Sequence, residues 1–423
     1  MLGKHALLVR MFSSTVANQA LLSASNLLVG LMLIRGTADV QYGYYVLIFN
    51  SILLLNSLQG AFISAPLAMR LAKATPEQAA ALVGGIFRAQ NRLLVVALLA
   101  AVALLGGAWL ARLIDDELAL LLLVGLLSIA TALLREFFRM VFFVNRQPLV
   151  VIRSDAVFVF GQLAGVWFAK KTAMPVVLAL LAFSAAAIIA SAMLWRTLKR
   201  RNGLDPTASP TVWREMARTG AWSAAGAGSH WAFSQGYNYV VAGVLDVAAV
   251  SALAATRLLM MPINLLSSGV APLLIPFGLE WMHSHGRAAV LRRSVGIATV
   301  LTTLSAVYLL ILWFLQDWIF DHLMHKRYAH AETLMAIWSA TFLIAIFRDQ
   351  IRVLPAVCDR FRLLWLATTV SATASLVCGF FALRAWGIIG APLAVLLGEF
   401  VNCAYLVALS MRLAREPGEP AAA

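Results

Sequence analysis

The apolar runs of this chain, about a dozen of them and each long enough to cross a lipid bilayer, dictate what it can be. A spanning helix needs about 20 mostly apolar residues. Lipid offers no partner to backbone amides, so each run must satisfy its own hydrogen bonds as a helix. The runs are continuous and do not alternate with period two, which argues against a β-barrel. Composition agrees, with 62% of residues hydrophobic and 12% charged, where soluble domains carry roughly 25% charged residues. The expected fold class is all-α and integral to the membrane, with about twelve transmembrane helices in two six-helix repeats.

The repeat shows most clearly in charged residues. Arg135-Glu136-Phe137-Phe138-Arg139 is followed by Asn145-Arg146, and Arg348-Asp349-Gln350-Ile351-Arg352 by Asp359-Arg360. The first two arginines of each set lie 213 residues apart, and the last 214. Weaker matches keep the same order: Asp39-Val40 with Asp246-Val247, and 56–60 with 264–269. The chain therefore divides into a lobe at 1–195, a basic linker at 196–218, a second lobe at 219–412 and a tail at 413–423. Polar loops are expected at 70–92, at 145–155, and around His283, His285, Arg287, Arg292 and Arg293. Spans resume after them near 93, 156 and 295. Pro66, Pro262, Pro272 and Pro276 suggest bends in the second and eighth spans.

Lysine and arginine set the orientation. With the N-terminus inside, the outer turns hold only Arg35, Arg112, Lys170, Lys171, Lys326, Arg327 and Arg384. Both termini are then cytoplasmic, and the repeats are parallel about an axis normal to the membrane. The net charge of +14 thus belongs to topology, and no nucleic-acid partner is expected. Cys358, Cys378 and Cys403 share no metal or redox spacing. No Gly-x-x-x-x-Gly-Lys-Ser/Thr phosphate-binding loop occurs, so no ATP hydrolysis by this chain is expected. No cofactor or metal is expected.

Charge inside a span is expensive and marks candidate sites. Arg135 and Arg139, like Arg348 and Arg352, stand at i and i+4 on one helix face. They read either as a basic site at the mouth of a cavity, or as interfacial anchors with Glu136 and Asp349 as local partners. Arg257, in Ala254-Ala255-Thr256-Arg257-Leu258, has no acid near it in sequence. It should face water or an anion. The first span carries Asn18, Gln19, Ser23, Ser25 and Asn26, and the seventh Ser223, Ser229, His230, Gln235 and Asn238. With Gln59 and Asn264 these could line a path for sugar hydroxyls, or join helices by hydrogen bonds. Glu136, Asp349 and Glu399 are the candidates for ion coupling.

With its polar first and seventh spans, its Arg135–Arg139 stretch and twin at Arg348, and its basic linker, the chain resembles polysaccharide flippases of the multidrug/oligosaccharidyl-lipid/polysaccharide (MOP) exporter superfamily. The resemblance implies two lobes around a central cavity that opens to alternate sides. It implies an undecaprenyl-diphosphate-linked oligosaccharide as substrate, moved across a bacterial inner membrane for cell-surface polysaccharide. Arg257 would then hold the diphosphate, with the arginine pairs near the cavity mouth. Membrane lipids, a polysaccharide polymerase and chain-length proteins are the implied partners. No enzyme activity is expected. A cation-coupled multidrug or small-solute antiporter is the alternative, and a membrane glycan polymerase or ligase a more remote one.

Overall fold

The computed structural model describes residues 2–416 apart from 72, 146 and 203–209. Arg146, most of the proline-bearing part of the expected linker, and the tail from Pro417 lie outside the described residues. The described chain is helical between short turns. In order, the helices are α1 (Leu2–Gly36), α2 (Asp39–Gln59), α3 (Ala65–Leu71), α4 (Pro76–Leu110), α5 (Asp116–Val144), α6 (Pro148–Ala169) and α7 (Pro175–Asn202). They continue with α8 (Pro210–Gln235), α9 (Tyr237–Val244), α10 (Val247–Leu258), α11 (Met261–Trp318), α12 (Ala331–Ile351), α13 (Val353–Val357), α14 (Phe361–Trp386) and α15 (Gly390–Arg415). Two compact units result, Met1–Gly228 and Ser229–Ala423, and the division falls within α8.

Nine of the described helices are long and apolar enough to cross a membrane, and the bent α10–α11 pair makes a tenth. The stretch 361–415, 55 residues long, holds two crossings, since one takes about 20 residues. The α8–α9 span is not among them, because Ser223, Ser229, His230, Gln235 and Asn238 dilute its apolar face. With it the layout is the expected twelve. The exposed faces are apolar: Leu93, Val96, Leu99, Leu104 and Leu110 on α4, and Val300, Leu304, Val307, Ile311 and Phe314 on α11. A water-facing surface rarely gathers such patches. This is a multi-pass integral membrane protein.

Three expected loops prove largely helical, and local chemistry explains each. At 70–92, Thr75 forms a capping box with Gln78, and Pro76 sits in the first turn, so α4 starts well before residue 93. At 145–155, Pro148 opens α6 at its first position, where its missing N–H costs nothing. Asp155 is therefore on a helix. At 283–293 the chain stays helical except at Gly286, whose φ of 77° needs a glycine. Ahead of Pro66, Gly60–Ser64 winds as a π-helix. A proline ring crowds the carbonyl four residues back, and the wider turn gives it room.

Each unit has its own core, and the two match in position. In unit 1 Leu67, Ile86, Phe137, Phe138, Val141, Phe142, Val151 and Leu198 cluster, with Phe87 and Trp195 packed against them. In unit 2 Leu274, Val290, Val353, Leu354, Val357 and Leu413 cluster beside Trp281. The backbone repeats at the same places. Gln147 N–H donates to Phe142 C=O and Arg360 N–H to Pro355 C=O, both at 2.9 Å. Asn145 N–H to Val141 C=O (3.1 Å) is matched by Cys358 N–H to Leu354 C=O (3.0 Å). The register is thus 213 throughout this turn. Arg360 takes the place of Gln147, not of Arg146, which corrects the offset of 214 read from the sequence.

Candidate functional site

Among the described residues, buried ion pairs gather around Asp155 in unit 1 and around Arg348 in unit 2, and Arg257 stands apart in unit 2. In unit 1 the centre is Asp155, fully buried on α6. Its carboxylate accepts from Arg135 Nη2 at 2.7 Å, Arg139 Nε at 3.0 Å and Asn18 Nδ2 at 2.7 Å. Arg139 also pairs with Glu136. The Arg135 guanidinium lies 3.6 Å from the Phe158 ring centroid, one turn along α6 from Asp155. Two arginines and two carboxylates make the cluster neutral. A buried carboxylate with three donors is well satisfied.

Unit 2 repeats the arginine but not its partner. Arg348 on α12 sits between Asp349, at 2.8 Å, and Glu399 on α15. Ser267 donates to Asp349 at 3.0 Å. Arg352, the counterpart of Arg139, is exposed and makes no ion pair among the described residues. His230 on α8 is also exposed.

Arg257 differs from both. It lies in the last turn of α10, where the chain bends by 53° into α11. Pro262 supplies no N–H at the bend, and Ile263 N–H turns to Met260 C=O. The Leu259 carbonyl freed there accepts from the Tyr308 hydroxyl at 2.8 Å. The guanidinium Nη1 donates to Gln235 Oε1 at 2.7 Å and to Tyr237 Oη at 3.2 Å. Rings of Tyr237, Trp338 and Phe342 surround it with centroids at 5.6, 5.5 and 5.9 Å. Among the described residues no carboxylate is in salt-bridge reach of it. Its partners are neutral and aromatic, so its charge stays available to an anion.

The other sequence candidates scatter. Gln59 is buried and bonds Leu133 C=O (3.0 Å) and Gln90 Oε1 (3.3 Å), which join helices of unit 1. Asn238 is buried, and its Nδ2 donates to the Gln235 carbonyl at 3.1 Å, beside the Arg257 group. Asn26 is half-buried on α1, and Asn264 is exposed in the first turn of α11. The sequence reading missed Asp155, Tyr237, Trp338, Phe342 and Tyr308. Pro148 was the available signal for Asp155, since a proline at a first helical position moves the following ten residues onto a helix. The aromatic residues carry no comparable mark, because a Trp or Phe in a span is ordinary core.

No family model and no curated protein matches the chain. Solved structures do match its fold. An inward-facing multidrug resistance MATE family transporter of the MOP superfamily is 14% identical, covering 92% of this chain and 94% of that one, with a TM-score of 0.75. The lipid II flippase MurJ in an inward closed conformation is 11% identical, covering 95% of this chain and 87% of its own, with a TM-score of 0.76. A MATE structure in complex with MaL6 is 14% identical, covers 96% of both chains and has a TM-score of 0.66. At these identities the likeness is one of architecture: the chain has the fold of MOP superfamily transporters and flippases.

Proposed function

We propose that the chain is a flippase. It carries a diphosphate-linked lipid oligosaccharide from the cytoplasmic to the periplasmic leaflet of a bacterial inner membrane, for cell-surface polysaccharide. One observation carries this reading. Arg257 offers a guanidinium within a span that has no ion pair among the described residues, in a setting of aromatic rings and neutral acceptors. Such a charge is costly in a membrane unless a ligand or water meets it. A diphosphate is a fitting partner, since arginine binds phosphate oxygens in pairs. The fold shared with a lipid II flippase is compatible with a lipid-borne substrate. A polysaccharide polymerase and chain-length proteins would act on the product.

The fold is equally compatible with a multidrug antiporter. Such a transporter coupled to cations needs a buried carboxylate free to take up an ion. Asp155 and Glu399 are buried, but each is already paired with arginine. That favours the flippase. The test is the sidedness of the lipid-linked sugar pool in cells lacking the protein. Single unpolymerised repeats held on the cytoplasmic leaflet are expected. Accumulation on the periplasmic side would place the block at polymerisation or ligation and refute the proposal. An unchanged pool with altered drug tolerance would favour the antiporter.

A further inference from the structure

Arg257 is aimed, besides having no ion pair among the described residues. Both of its hydrogen bonds use Nη1. Among the described residues Nε and Nη2 have no hydrogen-bond partner. The two acceptors straddle a helix break: α8 ends at Gln235 and α9 begins at Tyr237. Gly236 lies between them in a turn so tight that a Cβ would stand 2.4 Å from the Ala232 carbonyl oxygen. Asn238 Nδ2 lies 3.4 Å from the same Gln235 Oε1 and helps to hold it. The break thus places two neutral oxygens on one corner of the guanidinium. The opposite edge, Nε–H with Nη2–H, carries no hydrogen bond among the described residues.

That edge is the one that matches two oxygens of a single phosphate side by side. We infer that Gln235 and Tyr237 are positioning residues, which hold the Arg257 guanidinium so that its Nε–Nη2 edge receives one phosphate of the ligand in a bidentate pair. The inference rests on the proposed reading of Arg257 as an anion site. It adds that geometry and not charge alone sets affinity, so a lysine could not replace the arginine. It also gives two residues without any contact to substrate a part in selecting phosphate.

The experiment is equilibrium binding of farnesyl diphosphate, a short isoprenoid diphosphate, to the purified full-length protein in lipid nanodiscs. Thermal midpoints are recorded alongside. Gln235→Ala and Tyr237→Phe each remove one acceptor and no charge. Each should weaken binding about threefold to tenfold, with the midpoint unchanged and the salt dependence of wild type. Arg257→Lys, which keeps the charge and loses the fork, should weaken it at least about tenfold. A residue of merely structural importance would move the midpoint and leave affinity alone. Wild-type affinity in Gln235→Ala and Tyr237→Phe, with binding lost in Arg257→Ala, would overturn the positioning roles and leave the anion site standing. Wild-type affinity in Arg257→Lys would overturn bidentate recognition. No binding by the wild type would overturn both the inference and the reading beneath it.

Discussion

The two arginine clusters share one half of their design and differ in the other. Arg135 and Arg348 occupy equivalent places on α5 and α12, at a constant register of 213 that the backbone turn beyond them also keeps. Their main carboxylates come from different helices. Asp155 is on α6, and the residue 213 positions later is Thr368. Glu399 is on α15, and the residue 213 positions earlier is Ala186. A buried arginine at this point of the fold therefore has two independent solutions. What the halves hold in common is the need to neutralise it, which is a requirement of architecture. What only one half possesses is the better guide to function. Arg257 has no twin: the position 207 earlier, the offset that relates Asp39 to Asp246, is Asn50.

Removing the two carboxylates would sharpen this contrast most. Asp155→Ala removes the only ion pair of Arg135 among the described residues and leaves Arg139 with Glu136 alone, so it should destabilise the protein by about 3–5 kcal/mol. The readout is the thermal midpoint of the detergent-purified protein, or its absence from the membrane. Glu399→Ala should lose less, about 1–3 kcal/mol, because Arg348 retains Asp349 at 2.8 Å. Equal losses, or the reverse order, would break the claim that unit 1 depends on a single carboxylate and unit 2 does not.

At the cap that opens α4, Thr75→Ala should lower stability by about 1 kcal/mol, seen as a shift of the same midpoint. No shift would mean that Pro76 alone fixes the start of α4. Smallest of all, Arg352→Ala should change stability by less than about 0.5 kcal/mol, because that side chain is exposed and in no ion pair among the described residues. A large loss there would give Arg352 the anchoring part that its twin Arg139 plays.

The same contrast explains how much could be read from the sequence. Spans are written in long apolar runs, and a dozen of them could be placed because lipid imposes one answer on each. The repeat was legible because charge inside a span is rare enough to be counted. Asp155 was not, since the arginines it pairs with lie 16 and 20 positions away and α6 begins earlier than its polar residues suggest. The second carboxylate of Arg348, Glu399, lies 51 positions on, and only packing of α12 against α15 brings it near. The aromatic setting of Arg257 was hidden for the opposite reason: Tyr237, Trp338 and Phe342 look like any other core. Arg257 itself stood out for what it lacked, a nearby acid, and the structure supplies it with neutral acceptors instead.

The most direct test of the account places Arg257→Ala in cells that lack the native chain and measures which leaflet holds the lipid-linked oligosaccharide. Wild-type protein levels in the membrane and repeats trapped on the cytoplasmic side are expected, because Arg257 is in no ion pair among the described residues and Glu399 keeps its pairing with Arg348 when Arg257 is lost. A well-expressed variant with a normal distribution of lipid-linked repeats would contradict the account.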